Sequence, residues 1–400
     1  MTMMNYDNIL EIIENPLPLL ADYPEYVAPL QYERRYLAPP VVYEENGDLL
    51  VRSWRYWYNA RGIVEMENRL AAKATAIINV HPWGVDDGHG LKTPEPAGCA
   101  FFCTLEKNEF GLKHVQDVLN PFFRRLRGHV ALVAHSLPGT EDEIRKLLYP
   151  SISTKPEELD VERGEKLLAE LLGKHKFEGN PLKEKLMLDA NAPVKSYFEQ
   201  TPSTDAGDYY NGQGFWQLPM PIVKCLERGP NDIVFYDGEG YPKVRDYLKS
   251  IGVRHILLTG YATDMCVIGT TCGYNNLNKD FNVFLVGDAT QATYPASTTP
   301  KYATQVALAN AALRQMITQV NRVKIKAEAE VFERRIRALE NAEDAEITEK
   351  TKKLKELEEM SADFIREKES FERLERELEA LKVEMLLETV EPLLQMEEPK

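Results

Sequence analysis

The chain has 400 residues, more than one average domain and fewer than three, and its composition is that of an ordinary globular protein. Its net charge of -15 argues against sequence-independent binding to nucleic acid or anionic lipid, because both need clustered Lys and Arg. No apolar run is long enough to cross a membrane, and the first residues do not resemble a secretory leader. The five cysteines form no CxxC pair and are odd in number, which favours reduced thiols and a cytoplasmic location.

The first part of the chain reads as a lead-in to a larger domain. Residues 1–48 are rich in Pro and Tyr, which is typical of an arm that lies over a surface. Residues 49–72 predict a β-hairpin, in which an alternating strand over 49–57 reaches a turn at 59–62 and returns over 63–66.

Residues 73–320 carry the pattern of an α/β domain. Short apolar runs that do not alternate predict strands buried on both faces of a parallel sheet. These runs are Thr75–Val80, Val130–Ala134, Asp232–Tyr236, His255–Thr259 and Asn282–Val286. Helical stretches between them predict a three-layer α/β/α sandwich with a mainly parallel sheet. The predicted helices are Val115–Leu126, Pro242–Ile251, Cys266–Leu277 and a closing helix Lys301–Val320, and residues 141–215 read as an insertion.

Residues 321–400 are strongly charged and contain no Gly, Cys or Trp. From Leu357 onward apolar residues recur at every seventh position, which is typical of a long helix or coiled coil. The members of this series are Leu357, Phe364, Phe371, Leu378 and Met385. Such a helix either packs on its own domain, joins copies of the chain into a homo-oligomer, or binds a partner.

Reactive side chains of an open parallel sheet collect beyond the carboxyl ends of its strands. Three segments of this chain arrive there. They contribute Asn79, His81 and Trp83 from the first, Tyr236, Asp237 and Glu239 from the second, and Ala262, Thr263, Asp264 and Cys266 from the third.

Cys266 is placed where a helix is predicted to begin. The positive end of the helix dipole favours a thiolate, and backbone N–H groups over Ala262–Asp264 are candidate donors to an oxyanion. The alternative is a cysteine that only packs in the core.

Two segments resemble the isochorismatase-like cysteine hydrolases, a family that includes nicotinamidases, N-carbamoyl amidohydrolases and isochorismatases. Gly260–Val267 is similar to the nucleophile motif of that family, and Phe284–Thr290 to the strand that follows it. Asn79–Gly88 looks like the family's first strand and loop. The resemblance covers residues 73–320 and leaves out both the arm and the charged tail.

The resemblance implies a catalytic Asp, Lys and Cys, of which this chain keeps Cys266. Asn79 stands where the Asp is expected, and Phe235 or Tyr236 near the Lys, followed by Asp237 and Glu239. Asn cannot accept a proton from a thiol. His81 is a substitute base that Asn79 could orient, as in a Cys-His-Asn set. The alternative is a core histidine at that position.

No metal or other cofactor is expected. Nicotinamidase-type members carry an Asp-x-His zinc pattern, and the corresponding segment here, Ala134–Pro138, lacks it. The loop with His81, Asp86, Asp87 and His89 holds metal-ligand residue types, but such loops usually face water.

The sequence therefore predicts a thiol-dependent hydrolase of a small amide or ureide, acting through an acyl-enzyme on Cys266. The alternative is a catalytically inactive scaffold of the same fold, with the C-terminal helix as its interaction element.

Overall fold

A computed structural model of the chain describes residues 4–16, 34–57, 62–92, 105–176, 184–199, 213–293, 317–325, 372–374 and 376–377. The chain divides into two compact units, residues 1–327 and 328–400. In the second unit, residues 372–374 and 376–377 are helical, and the heptad series of the tail otherwise lies outside the described residues. No helix in the described ranges is long and apolar enough to cross a membrane.

The described strands of the first unit form one ten-stranded sheet. They are β1 (Glu11–Ile12), β2 (Arg34–Ala38), β3 (Leu49–Trp57), β4 (Gly62–Leu70), β5 (Thr75–Val80), β6 (Leu132–Leu137), β7 (Ile233–Tyr236), β8 (His255–Tyr261), β9 (Asn282–Gln291) and β10 (Ile317–Ile325). Their order across the sheet is β1-β2-β4-β3-β10-β9-β8-β5-β6-β7.

The half of the sheet from β7 to β10 is parallel throughout. β5, β6 and β8 are buried along their whole length, as their apolar runs predict, so the mainly parallel sheet is confirmed. The chain order runs outward from β5 through β6 to β7, and then resumes on the other side of β5 with β8 and β9. This reversal opens a crevice between the carboxyl ends of β5 and β8, the position at which open α/β sheets bind ligands.

Helices connect the parallel strands. They are Leu105–His114, Asn120–Leu126, Arg145–Leu148, Val161–Leu172, Pro193–Glu199, Tyr241–Ser250, Cys266–Gly269 and Tyr274–Leu277. A π-helical turn, Val115–Leu119, joins the first two. The connection from β5 to β6 and the connection from β7 to β8 run in opposite directions across the sheet. Because parallel crossovers are right-handed, their helices lie on opposite faces.

The predicted helix Cys266–Leu277 is wrong in its length. Helix Cys266–Gly269 ends at Thr270, whose backbone is extended, and a second helix begins at Tyr274. The Thr270 hydroxyl donates to the carbonyl of Cys266 at 2.9 Å, and the Asn276 amide donates to the carbonyl of Thr270 at 3.1 Å. The Cys266 carbonyl also accepts from the N–H of Thr270, so the helical bonding ends there, and the Asn276 amide binds the Thr270 carbonyl at the break.

The predicted closing helix Lys301–Val320 is also wrong at its end. Residues 301–316 lie outside the described residues, but Ile317 begins β10, which continues to Ile325. Its residues, ITQVNRVKI, are rich in β-branched side chains, which favour strands. The boundary drawn at 320 from the charge pattern therefore cuts through a strand.

The N-terminal part of the chain extends the sheet. β3 and β4 lie in the region of the predicted hairpin and pair antiparallel from Leu49 opposite Leu70 to Trp57 opposite Gly62. Two pieces of the predicted arm are strands rather than surface cover, since β2 pairs with β4 and β1 with β2. Buried Glu65 of β4 bridges Arg35 of β2 and Arg52 of β3, so an ion triad ties these three strands together.

We predict that β10 decides where the chain can be shortened, because β10 pairs with both β9 and β3 and joins the two halves of the sheet. A chain that ends at Ala327 should keep the melting midpoint of the first unit. A chain that ends at Met316 should melt about 10 °C lower or more, since each kcal/mol lost moves the midpoint by about 2–4 °C at this size.

Circular dichroism melting and light scattering of the two shortened chains measure this difference. Equal midpoints would show that the pairing of β10 adds nothing to stability. Aggregation confined to the shorter chain would fit the two strand edges that it exposes.

Candidate active site

The crevice between β5 and β8 contains a small cavity of about 90 Å³. His81, one residue beyond β5, and Cys266, the first residue of helix Cys266–Gly269, face it. The remaining lining residues are Trp83, Pro138, Trp216, Tyr261 and Met265. Among the residues that the structure describes, this lining is therefore mainly apolar, with an imidazole and a thiol as its reactive groups.

Gly260 allows the two strands to approach closely at this point. Its φ is +104°, and a Cβ added there would lie 2.2 Å from the carbonyl oxygen and 2.4 Å from the nitrogen of Val80. No other residue fits such an approach in that backbone conformation. The carboxyl end of β8 is thus held against Val80, the residue that precedes His81.

His81 is fixed by its backbone and by its ring. Its φ is +45°, in the left-handed region, and its N–H donates to the carbonyl of Ser136 at 3.0 Å. Nε2 of the buried ring lies 2.9 Å from Oδ2 of Asp237. Burial lowers the pKa of His81, but hydrogen bonds with Asp237 and Cys266 and their negative charges raise it further, to about 9 overall. His81 is therefore an imidazolium at neutral pH, between a carboxylate and a sulfur.

Asp237 comes directly after β7 and begins the 3₁₀ turn Asp237–Glu239. Its backbone carbonyl accepts from the Thr271 hydroxyl at 2.8 Å, so the turn is anchored beside the Cys266 segment. Its second carboxylate oxygen, Oδ1, is buried without a hydrogen-bond partner in the described part of the chain. The side chain is thus directed to His81 through one oxygen.

The neighbours of Asp237 have structural contacts. Glu239 accepts from the N–H of Tyr236 at 3.2 Å and pairs with Lys243 at 2.8 Å, which closes the 3₁₀ turn. The Tyr236 ring is fully buried beneath the Arg145 guanidinium, 4.8 Å from its centroid. Of these three pocket candidates, only Asp237 contacts His81, while Trp83 does line the cavity.

The turn before Cys266 is held by the end of β9. The N–H of Thr263 donates to the carbonyl of Gln291 at 2.9 Å, and Asp264 accepts from the N–H of Thr293 at 2.9 Å. The N–H of Met265 donates to the carbonyl of Ala262 at 3.0 Å. The N–H groups of Thr263 and Met265 are therefore occupied, whereas that of Cys266 has no backbone acceptor among the described residues.

Helix Cys266–Gly269 has four residues, about one turn, so its dipole is much smaller than that of the longer helix predicted from sequence.

Asn79 lies inside the sheet and does not line the cavity. Its Nδ2 is 3.2 Å from Nδ1 of His135, and its Oδ1 accepts from the Thr259 hydroxyl at 3.3 Å. Within the described residues, Asn79 forms no hydrogen bond with His81. The side chain that contacts the His81 ring is Asp237.

The loop with candidate metal ligands is used by the protein itself. His89 Nε2 lies 3.1 Å from the carbonyl of Ile222, and Asp87 accepts from the N–H groups of His89 and Lys224. In the described ranges, no group of three or more His, Cys, Asp or Glu side chains is arranged to hold a metal ion.

Tyr261 and His114 form a contact that sequence reasoning missed. The Tyr261 hydroxyl donates to Nδ1 of His114 at 2.6 Å, and Nε2 of His114 donates to the carbonyl of Asp288 at 2.7 Å. Burial lowers the pKa of His114 to about 4, so this ring is neutral. The pair fixes the Tyr261 wall of the cavity, and no local sequence signal marks it.

Part of the chain matches a known protein family. Residues 219–323 match the isochorismatase domain family. This segment of the chain is similar to isochorismatase domains. The matched segment includes Asp237 and Cys266, whereas His81 precedes it.

Several solved structures are similar to this chain. One is an isochorismatase-like hydrolase from Alkaliphilus metalliredigens, with 14% sequence identity and a TM-score of 0.32. The similarity covers 62% of this chain and 93% of that one. An isochorismatase family protein from Desulfovibrio vulgaris has 16% identity and a TM-score of 0.32, with 65% and 98% covered. A nicotinamidase from Bacillus subtilis has 13% identity and a TM-score of 0.26, with 60% and 94% covered. No curated protein matches the chain.

We predict that the pKa of about 9 at His81 depends on Asp237. Asp237→Asn should lower the pKa of His81 by about one unit or more, because the charge of the partner is lost while burial remains. Histidine NMR across a pH titration measures this, with the resonance assigned by His81→Gln. Asp264→Asn, a substitution in the Cys266 turn away from His81, should leave the pKa unchanged.

The same pairing links stability to pH. The folded-state pKa of His81 lies above its ordinary value of 6.5, so its stabilising contribution is complete below about pH 6.5 and is lost as the pH rises through about 9. If Asp237→Asn leaves the titration of His81 in place, the contact seen here does not set its charge.

Proposed function

We propose that the isochorismatase-like domain is a thiol-dependent hydrolase of a small amide or ureide. The observation that carries this proposal is the His81–Asp237 hydrogen bond at the edge of a cavity that His81 and Cys266 both line. A nucleophile, a base and an acid that orients the base form the set that acyl transfer needs.

In the proposed reaction, the Cys266 sulfur attacks the substrate carbonyl carbon, and the C=O electron pair moves to the oxygen. The N–H groups of Asp264 and Cys266 are the proposed donors to that oxyanion, since neither has a backbone acceptor in the described residues. Protonated His81 gives its proton to the leaving nitrogen as the C–N bond breaks, which leaves a thioester on Cys266.

Water then completes the cycle. Neutral His81 takes a proton from the water molecule as its oxygen attacks the thioester carbon. The C–S bond breaks, the acid product leaves, and Cys266 regains its negative charge beside the reprotonated His81. No co-reactant other than water is required.

His81 thereby covers two roles that the resemblance assigns to an Asp and a Lys. As a neutral ring it accepts a proton, and as an imidazolium it supplies the cation beside the thiolate. Asp237 holds Nε2 of the ring, which leaves the other ring nitrogen for the thiol.

The cavity indicates the size of the substrate. About 90 Å³ is well below the roughly 300–1,000 Å³ of drug-sized sites. Trp83 and Trp216 meet edge to face with 6.4 Å between ring centroids and form one wall. We therefore propose a compact acyl group without charge.

Cys266 and Cys272 offer a matched test of the nucleophile. Cys272 is fully buried, and burial raises its pKa well above the ordinary value, so it should stay a thiol. Cys266→Ala should abolish turnover of small amides and ureides, while Cys272→Ala should retain it. Mass spectrometry after brief iodoacetamide treatment at neutral pH should find the label on Cys266 and not on Cys272.

Unchanged turnover in Cys266→Ala would remove the thiol mechanism. If the parent protein neither cleaves a panel of small amides and ureides nor takes the label on Cys266, the inactive scaffold becomes the better interpretation.

Asp237 and Asn79 test which side chain supports His81. Asp237→Asn should lower kcat by roughly 10²–10⁴-fold, because the base loses its charged partner. Asn79→Asp should not raise activity, since the side chain lies in the sheet against His135. It should instead lower the melting midpoint by several degrees, because it places a charge inside the sheet and replaces the amide that faces Nδ1 of His135.

Steady-state kinetics and thermal melting of both variants measure these effects. A gain of activity in Asn79→Asp would return the catalytic acid to β5 and overturn the assignment of Asp237.

A further inference from the structure

A second cavity, of about 270 Å³, lies on the N-terminal extension of the sheet. Its lining residues are Tyr6, Asn8, Arg55, Trp57, Val64 and Met66. β4, which supplies Val64 and Met66, is four strand spacings from β8, or roughly 19 Å. The cavity is therefore separate from the thiol site and three times its volume.

The floor of this cavity is a small apolar cluster apart from the main core. Buried Val64 and Met66 of β4 pack with Ala38, and Trp57 of β3 packs against them. The Tyr6 hydroxyl donates to the carbonyl of Pro39, which fixes the N-terminal segment over the strands as the opposite wall. A ligand that enters meets two aromatic rings and an apolar floor.

Among the described residues of this lining, Arg55 is the one charged side chain. It lies on β3 opposite Val64 and is half-buried. It forms no hydrogen bond or ion pair within the described ranges, although the chain has 63 acidic and 48 basic residues. A partly buried cation over an apolar floor loses hydration without compensation unless an anion joins it.

We propose that this cavity binds an organic carboxylate, with the carboxylate paired to Arg55 and an apolar body against Trp57 and Met66. The planar guanidinium fork matches a carboxylate in two parallel hydrogen bonds. The apolar floor adds affinity that an inorganic anion cannot gain. The Asn8 side chain is a further donor or acceptor at the rim. This inference does not rest on the proposed hydrolase activity.

Two methionines report on the two cavities, since Met66 lines this one and Met265 lines the thiol site. The experiment follows their methyl resonances in the full-length protein, labelled at Met methyl groups, during titration with benzoate. Met66→Leu and Met265→Leu assign the two signals. We expect saturable shifts at Met66 and none at Met265.

Substitution of Arg55 then tests whether its charge binds the carboxylate. Arg55→Met should weaken benzoate binding by about tenfold or more, as expected for the loss of a charge-assisted bidentate pair. Arg69→Met is the matched control, because Arg69 lies on the adjacent strand and stacks on Tyr43 outside the cavity. Benzyl alcohol, which has the same ring without the charge, should bind at least tenfold more weakly than benzoate.

Four results would overturn the inference. They are the absence of a saturable shift at Met66, equal affinity in Arg55→Met and the parent, equal affinity for benzyl alcohol, and displacement of benzoate by inorganic phosphate. A shift at Met265 alone would place benzoate in the thiol cavity, which ends this inference and leaves the hydrolase proposal standing.

Discussion

The close approach of β8 to the end of β5 sets the geometry on which the site depends. Gly260 makes this approach feasible, because any side chain there would collide with the backbone of Val80. His81 follows Val80 in the chain. A wider spacing between β5 and β8 would therefore move His81 away from Cys266. A glycine outside the proposed catalytic set thus fixes the spacing of the two strands that carry His81 and lead to Cys266.

Much of the fold could be predicted because burial on both faces leaves a plain mark in the sequence. Uninterrupted apolar runs identified β5, β6, β8 and β9 without any knowledge of their partners. β2 and β10 mix charged and apolar residues, so their pairing depends on neighbours far away in the chain. The break at Thr270 is accompanied by a side-chain bond from Asn276 to the Thr270 carbonyl, which periodicity does not show.

The side-chain contacts of the site could not be predicted from the sequence. The sequence placed Cys266, His81 and Asp237 at one edge, but it could not choose between Asn79 and Asp237 as the partner of His81. That choice follows from the left-handed backbone at His81, which turns its ring away from the strand, and from the turn after β7, two strands away. The resemblance favours Asn79 as this partner, whereas in the structure Asn79 contacts His135 and Asp237 contacts His81.

The position of β10 has a consequence for the way in which the protein is made. β3 is synthesised early, yet its partner on one side is a strand that emerges only after the whole parallel sheet has left the ribosome. Until then the hairpin keeps an unpaired edge, and the contact that closes it spans most of the chain. Folding of the N-terminal extension is therefore expected to be late and slow, and nascent chains stalled before Ile317 would carry the edge that chaperones must cover.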